Sequence, residues 1–283
     1  EASDAISRCL KKAEGKLGRR ISDIYMNIGG SHIFCASSRG LVSVSRADQK
    51  ISPEDIERVI QAAQTLSLPS NKEILEVFPK EFIVDGERGV KEILGMRGVR
   101  VEAEVLAVGG FSPYLKNLER AVLNSDLQIN DLALTPLAGG RAVLTPREKE
   151  LGVAILDIGA GNSSLAIFEE GNLIHIAIFP IGGSNITNDI AIGLRTDIDT
   201  AERIKLGFGS CVSQKTKGKE KMKEIKGDSG SESVVFSQKA LAGIIEARVS
   251  EIFEQVEKEL KKISRQGLLP AGIVLTGGGA KLP

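Results

Sequence analysis

At 283 residues, with 42% hydrophobic and 26% charged side chains, the chain can bury two substantial cores and has an ordinary globular composition. Lysine plus arginine and aspartate plus glutamate balance at 37 each, so no overall field draws it to nucleic acid or an anionic surface. No apolar run approaches the roughly 18 residues that span a bilayer, and no signal-peptide pattern is present. The three cysteines, Cys9, Cys35 and Cys211, are widely spaced and read as buried reduced thiols of a cytoplasmic protein. With only His32 and His175 beside them, a zinc site has too few ligands. The chain starts at Glu1, inside a helical pattern, and stops at Pro283 just after a glycine turn. Both ends therefore read as cut.

Helical period over residues 3–17 (Ala5, Ile6, Leu10, Ala13, Leu17) ends at Gly18. Strand patterns at 23–28 and 31–36 flank the Gly29-Gly30 turn signal, and a third at 40–45 would complete a small sheet. Ser52-Pro53-Glu54-Asp55 opens a helix with Ser52 as N-cap, and Ile56, Val59, Ile60 and Ala63 share one face. Strand-like pieces at 81–84 and 100–108 follow, then a helix over 113–123 and a strand at 131–135. Residues 46–127 read as a compact αβ insertion.

The second half opens with an apolar strand, Leu151 to Asp157, ending in Gly159-Ala160-Gly161. Strands at 164–168 and 173–179 follow, and the spacing predicts helices over 186–194 and 196–207. Residues 213–233, with Lys215, Lys217, Lys219, Lys221, Lys223 and Lys226, read as a solvated loop. Ser237 caps the clearest helix, whose apolar positions run from Leu241 to Ile263 and fit packing on a sheet better than a coiled coil. A short strand over 270–275 runs into Thr276-Gly277-Gly278-Gly279.

Three elements carry chemistry. At the first, a buried strand delivers Asp157 beside a loop of small residues, Gly159, Gly161, Asn162 and Ser163. Backbone N–H groups there can approach phosphate oxygens, and the carboxylate can hold Mg²⁺ through its waters. A glycine-rich hairpin whose aspartate bonds its own turn fits the same residues. The second is Gly277, Gly278 and Gly279, again after a strand, where a planar ring or a phosphate can lie against the backbone. In the third, Thr196 and Asp199 resemble a capping box, and Glu202 and Lys205 share a helix face. That pair serves either as an exposed ion pair or as a grip on a nucleoside. There is no GxxxxGK[ST] loop, no GxSxG elbow and no dinucleotide fingerprint.

Two strand–glycine turns about 120 residues apart, enclosing Glu202 and Lys205, resemble the actin-like ATPase superfamily. Longer stretches resemble its FtsA family of bacterial cell-division proteins: residues 148–159 (EKELGVAILDIG), 180–196 (PIGGSNITNDIAIGLRT), 201–205 (AERIK) and 244–252 (IIEARVSEI). Residues 73–85 (EILEVFPKEFIVD) and 95–102 (GMRGVRVE) carry the likeness into the insertion. The resemblance implies an α/β, actin-like fold built of ribonuclease H-like subdomains, with an inserted αβ IC module (an SHS2 domain), truncated at both ends. On that pattern residues 1–45 and 128–150 belong to subdomain IA, 46–127 to IC, 151–186 and 263–283 to IIA, and 187–262 to IIB.

It further implies ATP with Mg²⁺, the phosphates on Asp157–Ser163 with the metal at Asp157, and the nucleoside near Glu202, Lys205 and Gly277–Gly279. The family's second phosphate loop reads Asp-Ile-Gly-Gly-Gly-Thr-Thr-Asp; here Ala160, Asn162, Ser163 and Ser164 replace its later residues, which implies at most a weak ATPase. Implied partners are the C-terminal tail of FtsZ, further copies through IC, and the inner face of the cell membrane at the division site, through a C-terminal helix absent from this chain. A PilM-like pilus assembly protein of the same fold is the alternative. A sugar or acid kinase would need a catalytic aspartate besides Asp157, and none stands out.

Overall fold

The computed structural model describes residues 2–90, 92–212, 222–225 and 233–283. Of the lysines in the 213–233 segment only Lys223 falls among them, and it lies in a short strand, Met222–Ile225, rather than the solvated loop expected; the rest of that reading lies outside the described residues. The chain divides into two compact units, residues 1–152 with 166–177 and residues 153–165 with 178–283.

The first unit runs α1 (Ala2–Leu17), β1 (Asp23–Ile28), β2 (Ile33–Ser43), α2 (Pro53–Gln64), β3 (Lys72–Val84), β4 (Glu87–Val90), β5 (Arg100–Phe111), α3 (Ser112–Leu123), β6 (Gln128–Leu134), α4 (Thr135–Val143) and α5 (Pro146–Leu151). The hairpin expected across Gly29-Gly30 does not form. β1 pairs instead in parallel with β6, from Asp23 opposite Gln128 to Ile28 opposite Leu134. Ile6 and Leu10 of α1 and Leu118 of α3 close over that pair, on a core of Met26, Val122 and Leu127. The segments read as separate strands at 31–36 and 40–45 are one strand, β2, paired antiparallel along its length with β5. An eleven-residue ladder on a long central strand outcompetes a two-residue turn, because each added pair closes more backbone hydrogen bonds at little further entropic cost.

β2, β5, β3 and β4 lie in that order in one antiparallel sheet. The inserted sheet thus begins at Ile33, whereas the sequence reading started its block at residue 46. α2 packs on it through Val59 and Ala63, against Val101, Ala103 and Val105 of β5. The close approach is possible because residue 40 is glycine: a Cβ there would overlap the Val59 carbonyl and the Ala63 nitrogen. Ser52 and Asp55 form the expected capping box. Asp55 is fully buried, and its carboxylate accepts from the backbone N–H groups of Ser45 and Ser52 and from Arg58. Burial works against its charge, but the bonds from Ser52 and Ser45 outweigh it and hold the group well below the usual carboxylate range.

The second unit draws on β7 (Val153–Ile158), β8 (Ser163–Glu169), β9 (Asn172–Phe179), α6 (Gly183–Leu194), α7 (Ile198–Phe208), β10 (Met222–Ile225), β11 (Val234–Ser237), α8 (Gln238–Lys262) and β12 (Ile273–Thr276). Strand order is β12-β7-β8-β9, and β12 runs parallel to β7; residues 166–177 of β8 and β9 group with the first unit. Ile186 and Ile190 of α6, Ala201 and Ile204 of α7, and Leu241 and Ile245 of α8 share a core with Phe236 of β11. α8 packs chiefly on α6 and β11 rather than on the main sheet. Arg248 of α8 grips Asp189 of α6 at 2.7 and 2.9 Å, a fork that fixes the angle between the two helices. The cap of α7 is Asp197, whose side chain accepts from the Thr200 N–H; the box expected of Thr196 and Asp199 is not formed.

Candidate functional site

β7 and β12 pair in parallel with Thr276 opposite Asp157, so both glycine turns leave the sheet side by side at its carboxyl edge. In open α/β sheets that edge is where ligands bind. Gly277 has φ +87°, and a Cβ there would overlap Asp157 Oδ1 and the Ile158 carbonyl; one at Gly279 would overlap the Ile158 side chain. These two glycines are required for the turn to lie against the end of β7. Gly278 between them has open space around it.

The loop after β7 is held from behind by α6. The N–H groups of Gly183 and Ser184 donate to the carbonyls of Gly159 and Ala160, both at 2.8 Å, and Gly159 N–H closes the loop on Asn162 O at 2.9 Å. Gly182 makes this approach possible, since a Cβ would stand 2.5 Å from Ala160 O and 2.7 Å from Gly159 O. With those carbonyls turned toward α6, residues 160–162 form an exposed rim. Neither Gly159 nor Gly161 takes a positive φ, and neither does Ala160, so its methyl is accommodated without strain. A Cβ at Gly161 would meet nothing, so the fold itself does not need glycine there. The bare backbone at 161 is free to meet a ligand.

Asp157 is half-buried on β7, and among the described residues no hydrogen bond or ion pair engages its carboxylate. Burial pushes its pKa up, the cost of holding an uncompensated charge partly out of water. A partly buried carboxylate of this kind is a group that could hold a cation through the cation's water shell. Ser163 is fully buried and donates its hydroxyl to Ile181 O at 2.7 Å, so it holds the loop's shape rather than offering a proton to phosphate. Asn162 is exposed on the rim.

Glu202 and Lys205 reach the same loop indirectly. Lys205 is buried, and its three N–H donors go to Glu202 Oε2 at 2.6 Å, Thr187 Oγ1 at 2.8 Å and Gly183 O at 3.1 Å. The ammonium therefore links α7 to the first turn of α6 and so to Gly159. Of the two residues expected to hold a nucleoside, only Glu202 keeps an exposed side chain, at 41%. Glu202 also takes the Thr187 hydroxyl at 2.5 Å. Burial raises its pKa, but Lys205 and then Thr187 more than compensate, and the carboxyl stays charged below its ordinary range.

Thr187, Gly182 and Gly183 were not singled out from sequence, although all three lie in the 180–196 stretch that carries the family resemblance. The legible signal was the Gly182-Gly183 pair just before a helical pattern, the composition of a tight approach. Among the described residues no cluster of three or more His, Cys, Asp or Glu side chains is arranged to hold a metal ion.

Comparison with known proteins gives a consistent answer. The family model for "Cell division protein FtsA" matches residues 154–283, and that for "SHS2 domain inserted in FTSA" matches residues 30–108. Curated cell division proteins FtsA from Pseudomonas aeruginosa and Bacillus subtilis are each 38% identical, over 98% and 100% of this chain, which spans 66% and 64% of their length. The one from Borreliella burgdorferi is 34% identical over the whole chain, which covers 68% of it. Among solved structures, the PilM-PilN type IV pilus biogenesis complex matches 98% of this chain and 68% of that one, with TM-score 0.65 and 16% identity, a likeness of fold alone. The fold is the actin-like ATPase fold, the SHS2 match begins at residue 30, close to where the inserted sheet begins, and the chain belongs to the FtsA family of cell-division proteins.

Proposed function

We propose that this chain forms the nucleotide-binding body of a cell-division adaptor of the FtsA type. ATP lies at the carboxyl edge of the β12–β7 pair. Its phosphates rest on the rim 159–162 with Mg²⁺ at Asp157, and its nucleoside lies near Glu202 and the Gly277–Gly279 turn. The bound metal would supply positive charge that the phosphates and Asp157 share. Lys205 and Thr187 brace α6, and through it the loop. Ser163 fixes the loop from within. Among the described residues of the site none is placed as a general base, and the reading is of a nucleotide that sets conformation, with hydrolysis weak at most.

The observation that carries the reading is the half-buried Asp157, without a partner among the described residues, beside the obligatory glycine of a second turn. On this reading the full-length protein polymerises through its inserted IC module and takes the C-terminal tail of FtsZ on IIB. It attaches peripherally to the inner face of the cell membrane at the division site through a C-terminal amphipathic helix. Among the described residues no helix is long and apolar enough to cross a membrane. Membership of the family favours this role over pilus assembly, since the PilM likeness extends only to fold.

The test is equilibrium binding of a fluorescent ATP analogue to the full-length protein with and without Mg²⁺. Asp157→Asn is expected to lose about tenfold or more in Mg²⁺-dependent affinity, the order of one charge-assisted interaction, with its circular dichroism unchanged. Equal affinity in the folded variant would remove Asp157 from the site.

A further inference from the structure

A second chemically distinctive cluster lies wholly within the first unit, apart from the residues assigned above to the nucleotide. Cys35 of β2 is half-buried; its Sγ donates to the Ile176 carbonyl at 3.2 Å and lies 3.6 Å from Nδ1 of His175 on β9, a second acceptor within reach of the same proton. Lys80 of β3 lies close enough for its charge to act on Cys35, and it donates to Ser37 Oγ, two residues along β2, at 3.1 Å. Glu104 of β5 in turn acts on Lys80. A thiol, an imidazole within reach of its proton and a nearby ammonium make up the environment that turns a cysteine into a nucleophile.

We propose that Cys35 is a reactive thiol and a site of reversible modification by small disulfides, with His175 as its proton acceptor. His175 Nδ1 takes the thiol proton, leaving a thiolate beside an imidazolium. The thiolate sulfur attacks one sulfur of a low-molecular-weight disulfide such as glutathione disulfide. A Cys35–S–S bond forms as the disulfide's own S–S bond breaks, and the departing thiolate takes the proton back from His175. The disulfide is the oxidant: one of its sulfurs leaves reduced while Cys35 is oxidised, and a reducing thiol reverses the step.

The three cysteines differ in a way that makes the assignment specific. Burial pushes the Cys35 thiol up, but the hydrogen bond and charge of His175, helped by the charge of Lys80, outweigh it and bring the group below its ordinary value. Burial alone acts on Cys211 and raises it. Cys9 is exposed on α1. Exposure alone would make Cys9 react first; the cluster reverses that order. β2 is an edge strand of the inserted sheet, and Cys35 is where it meets β9, so an adduct would add bulk at that seam.

The experiment labels the folded full-length protein with limiting iodoacetamide, and separately with glutathione disulfide. Rates are read peptide by peptide by mass spectrometry from pH 5.5 to 9, in wild type and H175Q. At pH 7 the Cys35 peptide is expected to react faster than the Cys9 peptide by at least about threefold, a gain that survives the lower intrinsic nucleophilicity of a more acidic thiol. H175Q is expected to slow Cys35 without changing Cys9 and to move its rate–pH profile to higher pH. Cys9 leading at pH 7 in wild type, which needs no variant to fold, would overturn the proposal. An unshifted Cys35 profile in folded H175Q would overturn the role of His175.

Discussion

At the scale of single residues, two aspartates show how environment assigns opposite roles to one side chain. Asp55 is fully buried but supplied with N–H donors, so its folded-state pKa is depressed. The native state then binds fewer protons than the unfolded chain, and the stability Asp55 contributes is present above the ordinary aspartate value of about 3.9 and is lost as pH falls through its folded pKa. Asp55→Asn is expected to cost about 1–3 kcal/mol at pH 7 by denaturant melts, with the gap to wild type closing in acid. Asp157 has the reverse sign. Burial raises its folded pKa, so the native state holds the proton longer, and stability falls as pH rises between the ordinary and the folded value. Asp157→Asn should therefore leave the nucleotide-free protein at least as stable as wild type at pH 7 while weakening Mg²⁺-ATP binding. A variant destabilised and nucleotide-competent would contradict the role given to this carboxylate.

The glycines of the site separate in the same way. Gly277 is tied to its turn by a positive φ and by contact with Asp157, so Gly277→Ala is expected to cost on the order of 1–3 kcal/mol. Gly161 has neither constraint, and Gly161→Val should fold normally, with a melting temperature close to wild type, but bind ATP less tightly.

At the scale of elements, capping chemistry decides where helices begin, and α7 is the instructive case. Thr196 and Asp199 have the sequence spacing of a box, but Asp197 makes the bond to the Thr200 N–H. Asp197→Ala should cost about 1 kcal/mol and Thr196→Ala almost nothing, measured by thermal melts of both variants. The seat of α2 on the inserted sheet depends on one missing methyl group. Gly40→Ala would force the helix off β2, and a loss of about 2 kcal/mol or more is expected from the overlap with backbone that cannot move aside.

At the scale of the whole molecule, the described candidate residues all belong to one of the two compact units, residues 153–165 with 178–283. Mg²⁺-ATP should therefore slow amide exchange most in segments 157–163, 182–187 and 276–279, and leave the inserted sheet between residues 33 and 111 largely unaffected. Uniform protection, or protection confined to the inserted sheet, would argue against the site as placed.

Much of this was legible in the residues themselves. α1, α2 and α8 carry their apolar faces in sequence, α1 also its stop at Gly18, and β7 ends where its hydrophobic run meets Asp157 and the glycines. α4 and α5 were missed because they are short and sit in a stretch with no long apolar period. β10 and β11 were missed for the same reason, being four residues each. The candidate site was legible as a set of residue types, since small residues after a buried strand announce an open backbone.

Local composition alone determined the helix faces, the Ser52 cap, the strand that delivers Asp157 and, through extended stretches of resemblance, the family. Only the tertiary structure decided that β1 pairs with β6, that β2 joins the inserted sheet, that the two glycine turns are neighbours, and that Lys205 is a brace. The physical reason is the range of the interactions. Caps and amphipathic periods act within a few residues, whereas strand pairing and the partner of a buried ammonium are settled between segments far apart in sequence, where the best ladder or the last unsatisfied carbonyl wins.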